Sequence, residues 1–430
     1  MYLLAKIHKQ PMKTRAIISY AGSICHGIAK WLDIYLKKIV KHMPYVATSS
    51  AKVVKQITQQ QWPSNTSLFT SDAVSMYTNI HLDHALPVIL EFLKATELGQ
   101  QICRKESINT SALAAALELV MRNNVFCFGD TYFLQTSGTA MGTPPAPTYA
   151  TLYFATWEAT VVPEFPELQL YTRYIDDCYG MWTHATNTDL DTNRWTLFQN
   201  RMNAFGTNHP FFHSNQHFRP LTWEFEERSN EVIFLDLRIS ILNGHINTTI
   251  YEKPLNLHLY IPPHSCHSPG VLKGLIFGFA KRTKALCTTH EDRIPFMKKT
   301  FMRLLDRGHD PATLRPIFHE ALKVFNDTPI ARKKKRTNKP LFLHLPYNPA
   351  DPPSSRIQRA FQNSIVQPPG DARITDLQTM NDFGGTADFD SLIVCYHGQR
   401  NLGNILSPRK LRLGPSYSID ATIAKLRDNG

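Results

Sequence analysis

The sequence predicts an α+β fold. Three observations carry that prediction: short apolar strand patterns between about 66 and 255, amphipathic helical patterns interleaved with them, and a change to helical periodicity alone from about 270. With 430 residues, 43% of them hydrophobic, the chain has room for two or three domains and a sizeable buried core.

The opening stretch, Met1 to Ala5, is apolar but ends at Lys6, which is too short for a signal peptide. Residues 24 to 40 then place Ile24, Ile28, Trp31, Leu32, Tyr35, Leu36 and Ile39 at helical spacing. The run Leu68 to Thr70 reads as a buried strand that delivers Asp72 at its end. Helical patterns follow near 84–95 and 110–122. Two aromatic strands around Gly129-Asp130 fit a tight hairpin, and a Gly/Pro-rich loop from Gly138 to Pro147 opens another helix. Residues Leu168 to Ile175 and Cys178 to Trp182 flank Asp176-Asp177, a second hairpin with acids at its tip.

Farther on, Trp195, Phe198, Met202 and Phe205 mark an amphipathic helix over 190–205. Val232 to Leu242, Asn243-Gly244 and His245 to Tyr251 spell a hairpin. Helices are predicted near 271–282, 290–306 and 311–326. The basic run Arg332 to Arg336 and the Pro-rich stretch Pro340 to Pro353 read as a linker over 331–390, followed by a C-terminal extension over 391–430 in which Ser391 to Tyr396 and Leu402 to Leu413 could return to the body.

Lys and Arg outnumber Asp and Glu by 47 to 35, a net charge of +12, which draws the protein toward polyanions such as nucleic acid. The sequence holds no apolar run of membrane-spanning length, so a soluble, intracellular protein with no membrane partner is expected. Seven scattered cysteines argue for reduced thiols rather than a disulfide framework. Cys266-His267 and Cys287-x-x-His290 lack ordinary zinc spacing and read as core and loop residues.

The acids carry the chemistry. If the strand ending at Asp72 neighbours the hairpin of Asp176-Asp177, three carboxylates converge. Carboxylates so placed hold two divalent ions that activate an attacking hydroxyl and stabilise a leaving pyrophosphate. Mg²⁺ accepts such a set because it keeps phosphate oxygens and water as its other ligands. The Ala73 carbonyl stands at the same strand end as a further oxygen. An acidic turn with local hydrogen bonds is the plain alternative, but adjacent carboxylates repel unless a cation stands beside them.

These acids have company. The ordered set Lys6-Ile-His-Lys9, Arg15-Ala-Ile-Ile-Ser19, Ser71-Asp72-Ala-Val-Ser-Met-Tyr77-Thr-Asn79-Ile80, Gly138-Thr-Ala-Met-Gly142-Thr-Pro-Pro-Ala-Pro147, Arg173-Tyr-Ile-Asp-Asp177 and Phe234-Leu-Asp-Leu237 resembles a reverse transcriptase, and most narrowly that of Penelope-like retroelements. Tyr251-Glu-Lys253-Pro, Leu259-Tyr260 and Ser268-Pro269 extend the resemblance, which covers residues 1 to about 325, with a fainter echo at Asn401 to Leu406.

The resemblance implies a right-hand polymerase: partial fingers over 1–65, a palm with interleaved fingers helices over 66–255, and a helical thumb over 256–330. It implies RNA-directed DNA synthesis from dNTPs on an RNA template and a DNA primer, with two Mg²⁺ ions, for which Mn²⁺ substitutes, on Asp72, Ala73, Asp176 and Asp177. It also places Lys9, Arg15, Tyr77 and Gly142 at the nucleotide. Arg15, helped by Lys9 and by Lys6 or Lys13, would hold the triphosphate, and a ring at Tyr77 would exclude a 2′-hydroxyl. A solvated basic face and a core aromatic are the bland alternatives for these residues. Phe234 and Leu235 would lie under the primer end, with Asp236 open to a local structural role, and Lys273, Lys281, Arg282 and Lys284 would grip the duplex.

The chain departs from the family in having Ala5 where a proline usually stands, in starting within the fingers, and in a longer stretch from Asn208 to Arg219. It lacks paired Gly-Ile-Tyr and Tyr-Ile-Gly strings, so no endonuclease domain is expected. Arg332 to Arg336 suits nuclear targeting, with a solvated linker as the alternative. An RNA-copying or telomerase-like enzyme, and a repurposed protein that binds RNA without catalysis, are the other readings.

Overall fold

A computed structural model describes residues 1–6, 13–214, 218–254, 256–268, 270–325, 340–348, 350–361, 363 and 391–397. Lys9, the basic run 332–336, the stretch 401–406 and the segment 402–413 lie outside the described residues. Two units divide the chain: Met1–His258 with Ala280–Thr300, and Leu259–Phe279 with Phe301 onward.

In chain order the first unit begins with β1 (Tyr2–Lys6) and β2 (Lys13–Ile17), an antiparallel ribbon where only a basic opening segment was expected. Next come α1 (His26–Val40), α2 (Ser50–Ile57), β3 (Thr66–Ala73), α3 (Met76–Asn79), α4 (Leu82–Ala95), α5 (Glu97–Glu106) and α6 (Thr110–Arg122). The hairpin β4 (Val125–Phe128) and β5 (Thr131–Leu134) turns at Gly129-Asp130 as its sequence dictates. Then follow α7 (Ala146–Val161), β6 (Leu168–Tyr174), β7 (Asp177–Thr183), α8 (Thr188–Asn203), α9 (Pro210–Ser214), β8 (Trp223–Phe225), β9 (Glu231–Phe234), β10 (Leu237–Leu242) and β11 (His245–Ile250). The helices α10 (Gly270–Leu286) and α11 (His290–Asp306) contribute residues to both units.

The central sheet has the order β6-β7-β3-β8, all antiparallel. Both of its faces are covered, which explains why β3 reads as a continuous buried run with only Asp72 exposed. Phe69, Tyr171, Cys178 and Trp182 pack with α1, α4 and α7 in one core, and Leu68, Leu170, Tyr179 and Met181 pack with α2 and β9–β10 in the other. Alternation along the strands sorts them so. The helix α7 is buried nearly all round, so its Tyr, Phe and Leu residues carry no polar stripe. Side-chain caps from Ser49, Thr96, Asn109 and Asn187 start α2, α5, α6 and α8.

Two expectations need correction. In α1 the buried face is Ala29, Leu32, Leu36 and Ile39, while Ile24 is 93% exposed and Ile28 and Trp31 are also exposed. The predicted strand 232–242 is broken by a turn at Leu235-Asp236, so a three-stranded meander β9-β10-β11 replaces one hairpin.

In the second unit, α12 (Pro311–Leu322) is capped by Asp310, and Phe301 meets Phe318 edge to face. The stretch 340–346, read from sequence as linker, forms β12 (Pro340–Pro346), and after α13 (Ser354–Phe361) comes β13 (Ser391–His397), its parallel partner. All seven cysteines are free thiols. Among the described residues no helix is long and apolar enough to cross a membrane.

Candidate active site

The strand register builds the site. Asp72 stands directly opposite Asp177 across β3 and β7, and residues paired this way present their side chains on one face about 5 Å apart. Asp176 occupies the two-residue turn between Tyr174 and Asp177, and its carbonyl accepts a hydrogen bond from Ala73 N at 3.1 Å. The three acids predicted from the sequence are thus brought together at one sheet end. Ile175, the other turn residue, has φ 57°, a left-handed conformation that costs a β-branched side chain about 1–3 kcal/mol.

Electrostatics reflects the crowding. Burial, then the charges of Asp176 and Asp72, raise the Asp177 carboxyl from 3.8 to about 6, with Lys253 opposing. A carboxyl that holds its proton more tightly folded than unfolded contributes stability that is lost as pH rises through that window. The metal-free protein is therefore expected to melt at falling temperature between pH 3.8 and about 6 on this account. Asp177→Asn should flatten the decline and raise the melting temperature above the window. Identical melting profiles for the two proteins would refute it.

Tyr77 begins one turn after the β3 end, on α3, half-buried. Burial and the Asp176 charge push its phenol up to about 12, against the pull of Arg15. Arg15 of β2 and Asp176 therefore share a field with this ring. Gly138 comes close behind it, since a Cβ there would lie 2.9 Å from the Tyr77 carbonyl, and Thr139 N donates to that carbonyl at 2.6 Å. Gly142 has φ +120°, and a Cβ on it would lie 2.0 Å from the Ile18 carbonyl. The close approach that demands glycine here is thus to the backbone just after β2.

Beside Asp177 runs a groove of about 640 Å³, lined by Ser49, Ser50, Tyr174, Leu235, Asp236, Lys253 and Arg282 among others. Leu235 repeats the left-handed turn of Ile175, with φ 57°. Phe234 is 1% exposed and packs on Tyr179, while Leu235 lines the groove. Ser50 Oγ and Arg282 both donate to the Asp236 carboxylate, which gives Asp236 a structural role and places Arg282 at the groove. Lys273, in the second unit, pairs with Glu320 at 2.7 Å. A second trough, about 260 Å³ and mostly apolar, shares Tyr174 with the groove and is lined by Lys37, Lys41, Val46, Pro147, Thr151 and Ile175 among others.

Three features were missed by the sequence reading. Glu224 of β8 faces Asp72 across the strands, extending the row Asp177, Asp72, Glu224, and the alternation Thr-Trp-Glu-Phe-Glu was the available signal. Lys253 sets a basic charge against the raised pKa of Asp177, and its place in the Tyr251-Glu-Lys253-Pro string gave no sign of this. The third is the buried pair of Arg173 and Glu158, signalled by a lone charge inside an apolar strand.

The donor set fits Mg²⁺ or Mn²⁺. It consists of hard oxygens from carboxylates that disfavour joint ionisation without a cation. Among the described residues no group of three or more His, Cys, Asp or Glu side chains is placed to hold a metal ion by itself, so these acids would need phosphate and water as further ligands.

No protein-family model matches the chain, and no curated protein matches it. Among solved structures, the chain is similar to telomerase from Candida albicans in complex with a TWJ fragment of telomeric RNA, at 11% identity and TM-score 0.44 over 71% of this chain and 48% of that one. Apo telomerase from Candida tropicalis truncated from its C-terminal domain gives 13% identity and TM-score 0.34 over 53% of this chain and 46% of that one. The BmCPV RNA-dependent RNA polymerase at elongation state gives 11% identity and TM-score 0.37 over 65% of this chain and 24% of that one. The chain thus spans about half the length of these telomerases. Likeness this loose assigns no activity, and the site geometry has to carry it.

Proposed function

We propose that the chain is an RNA-directed DNA polymerase of right-hand form, of the Penelope-like kind its motifs resemble. The observation that carries this reading is the facing pair Asp72 and Asp177 with Asp176 on the turn between β6 and β7. Asp72, the Ala73 carbonyl, Asp176 and Asp177 would hold two Mg²⁺ ions, which would supply hydroxyl activation and leaving-group stabilisation.

The residues around the acids do the rest. Arg15 offers a guanidinium fork to the triphosphate. Tyr77 sets a stiff ring beside Asp176, where it meets a 2′-hydroxyl. The growing strand lies in the larger groove, because that groove opens on Asp177 and offers Lys253 to its phosphates. The template then takes the trough that shares Tyr174, with its sugars on the apolar floor and its phosphates at Lys37 and Lys41. A net charge of +12 favours this association.

The test is extension of a DNA primer on an RNA template with Mg²⁺ or Mn²⁺ and either dNTPs or rNTPs. Extension with dNTPs is expected; binding with no extension under either metal supports the non-catalytic reading instead. Tyr77→Ala should raise the ratio of ribo- to deoxynucleotide use by about tenfold or more. An unchanged ratio would remove Tyr77 from sugar selection.

A further inference from the structure

The strand β6 carries one charge, Arg173, and the structure buries it completely. A buried guanidinium is tolerated only when paired and hydrogen-bonded throughout. Glu158, equally buried in the last turn of α7, meets it with both oxygens: Nε donates to Oε1 and Nη2 to Oε2, each at 2.7 Å. The rings of Phe154 and Trp223 lie 5.4 and 5.9 Å from the guanidinium carbon. Tyr171 donates its hydroxyl to Glu158 Oε1 at 2.7 Å. Nη2 also donates to the Thr151 carbonyl at 2.9 Å.

The remaining bond points at the acids. Nη1 donates to the Ile175 carbonyl at 2.8 Å, and Ile175 is the β-branched turn residue at φ 57°. That carbonyl belongs to the peptide that leads into Asp176. The next carbonyl, that of Asp176, accepts from Ala73 N at 3.1 Å. The Asp176 peptide units are therefore pinned at both ends, by Arg173 and by the Asp72 strand. Strained backbone persists only where its surroundings over-determine it, and here the guanidinium fork is what does so. The main chain of Arg173 is fixed in turn, its N–H donating to the Tyr45 carbonyl and its carbonyl accepting from Ala47 N, both at 2.8 Å.

We propose that Arg173, locked by Glu158, is a positioning residue that holds the left-handed turn at Ile175 and so aims the Asp176 carboxylate. This rests on the polymerase reading for the use made of Asp176, but not for the geometry. A lysine cannot replace it, because one ammonium lacks the planar fork that serves Glu158, Thr151 and Ile175 together.

The experiment compares wild type with Arg173→Lys, alone and combined with Ile175→Asn, since asparagine tolerates the left-handed region. Two readouts are needed: steady-state primer extension, and Mn²⁺ binding followed by electron paramagnetic resonance, with folding checked by circular dichroism. For folded Arg173→Lys the expected result is a kcat loss of about 10²-fold, a dNTP KM nearly unchanged, and weakened Mn²⁺ binding. Adding Ile175→Asn should recover part of both.

Should Arg173→Lys fail to fold, Tyr171→Phe removes only one donor to Glu158. It is expected to lower kcat by about two- to tenfold, again without a matching rise in KM. Folded variants with wild-type kcat and Mn²⁺ affinity, or a loss confined to KM, would overturn the proposal. Wild type that binds Mn²⁺ but extends no primer, while Arg173→Lys binds it more weakly, would overturn the polymerase reading and leave the positioning role standing.

Discussion

Asp176→Asn is expected to abolish primer extension while leaving nucleic-acid binding intact. The exchange keeps the shape of the side chain on the turn between Tyr174 and Asp177, so the two grooves that share Tyr174 are undisturbed. It removes one of the charges that would hold the cations, which is worth several kcal/mol of transition-state stabilisation, on the order of 10³-fold in rate. It also removes a charge that raises the Asp177 pKa, so that pKa should fall. Single-turnover extension beside a binding titration checks both halves. Extension at the wild-type rate would remove Asp176 from the site, and lost binding would make its role architectural.

Gly142→Ala should be nearly as damaging, although Gly142 touches no acid. Its φ of +120° disfavours any L side chain, and the new Cβ would meet the Ile18 carbonyl at 2.0 Å. Ile18 donates its N–H to the Met141 carbonyl at 2.8 Å, so the two backbones are already tied. A shift of about 1 Å is required to relieve the overlap. It passes along β2 to Arg15, and displacement of a substrate-holding group by that much costs about 10²-fold. The loss should appear chiefly in the KM for the incoming nucleotide. Unchanged kinetics would show that Arg15 does not depend on this contact.

Much of the site was legible because strands declare themselves locally. The apolar run into Asp72 and the hairpin around Asp176-Asp177 each follow from alternation and turn chemistry, and the register then brings the acids together without further assumptions. Glu224 was harder, since β8 is only three residues long and pairs with β3 from far along the chain. The break at Leu235-Asp236 was missed because a left-handed leucine has no sequence signal, unlike the Asn243-Gly244 turn that follows it. Periodicity placed α1 and three residues of its buried face, Leu32, Leu36 and Ile39, but not its whole edge. Ile24, Ile28 and Trp31 fit the stripe, yet the core takes Ala29 instead.

Charged residues show their partners only in three dimensions. A surface role is the default for Arg, and Arg282 does line the groove, but its bond to Asp236 has no local signal. Arg173 is one basic residue in a motif string, and only its partners in three dimensions set it apart. Long-range pairing of this kind depends on which helix covers which strand, and α7 reaches β6 through packing that no local pattern encodes.

In the proposed reaction Asp72, Asp176 and Asp177 would hold two cations for nucleotidyl transfer. Crystals of the protein with an RNA template, a DNA primer, a non-hydrolysable dNTP and Mn²⁺ test it most directly through anomalous scattering. The account predicts two separate manganese peaks bounded by the three carboxylates, with the primer terminus in the groove beside Asp177. An ordered nucleic-acid complex with no peak at these acids would contradict it.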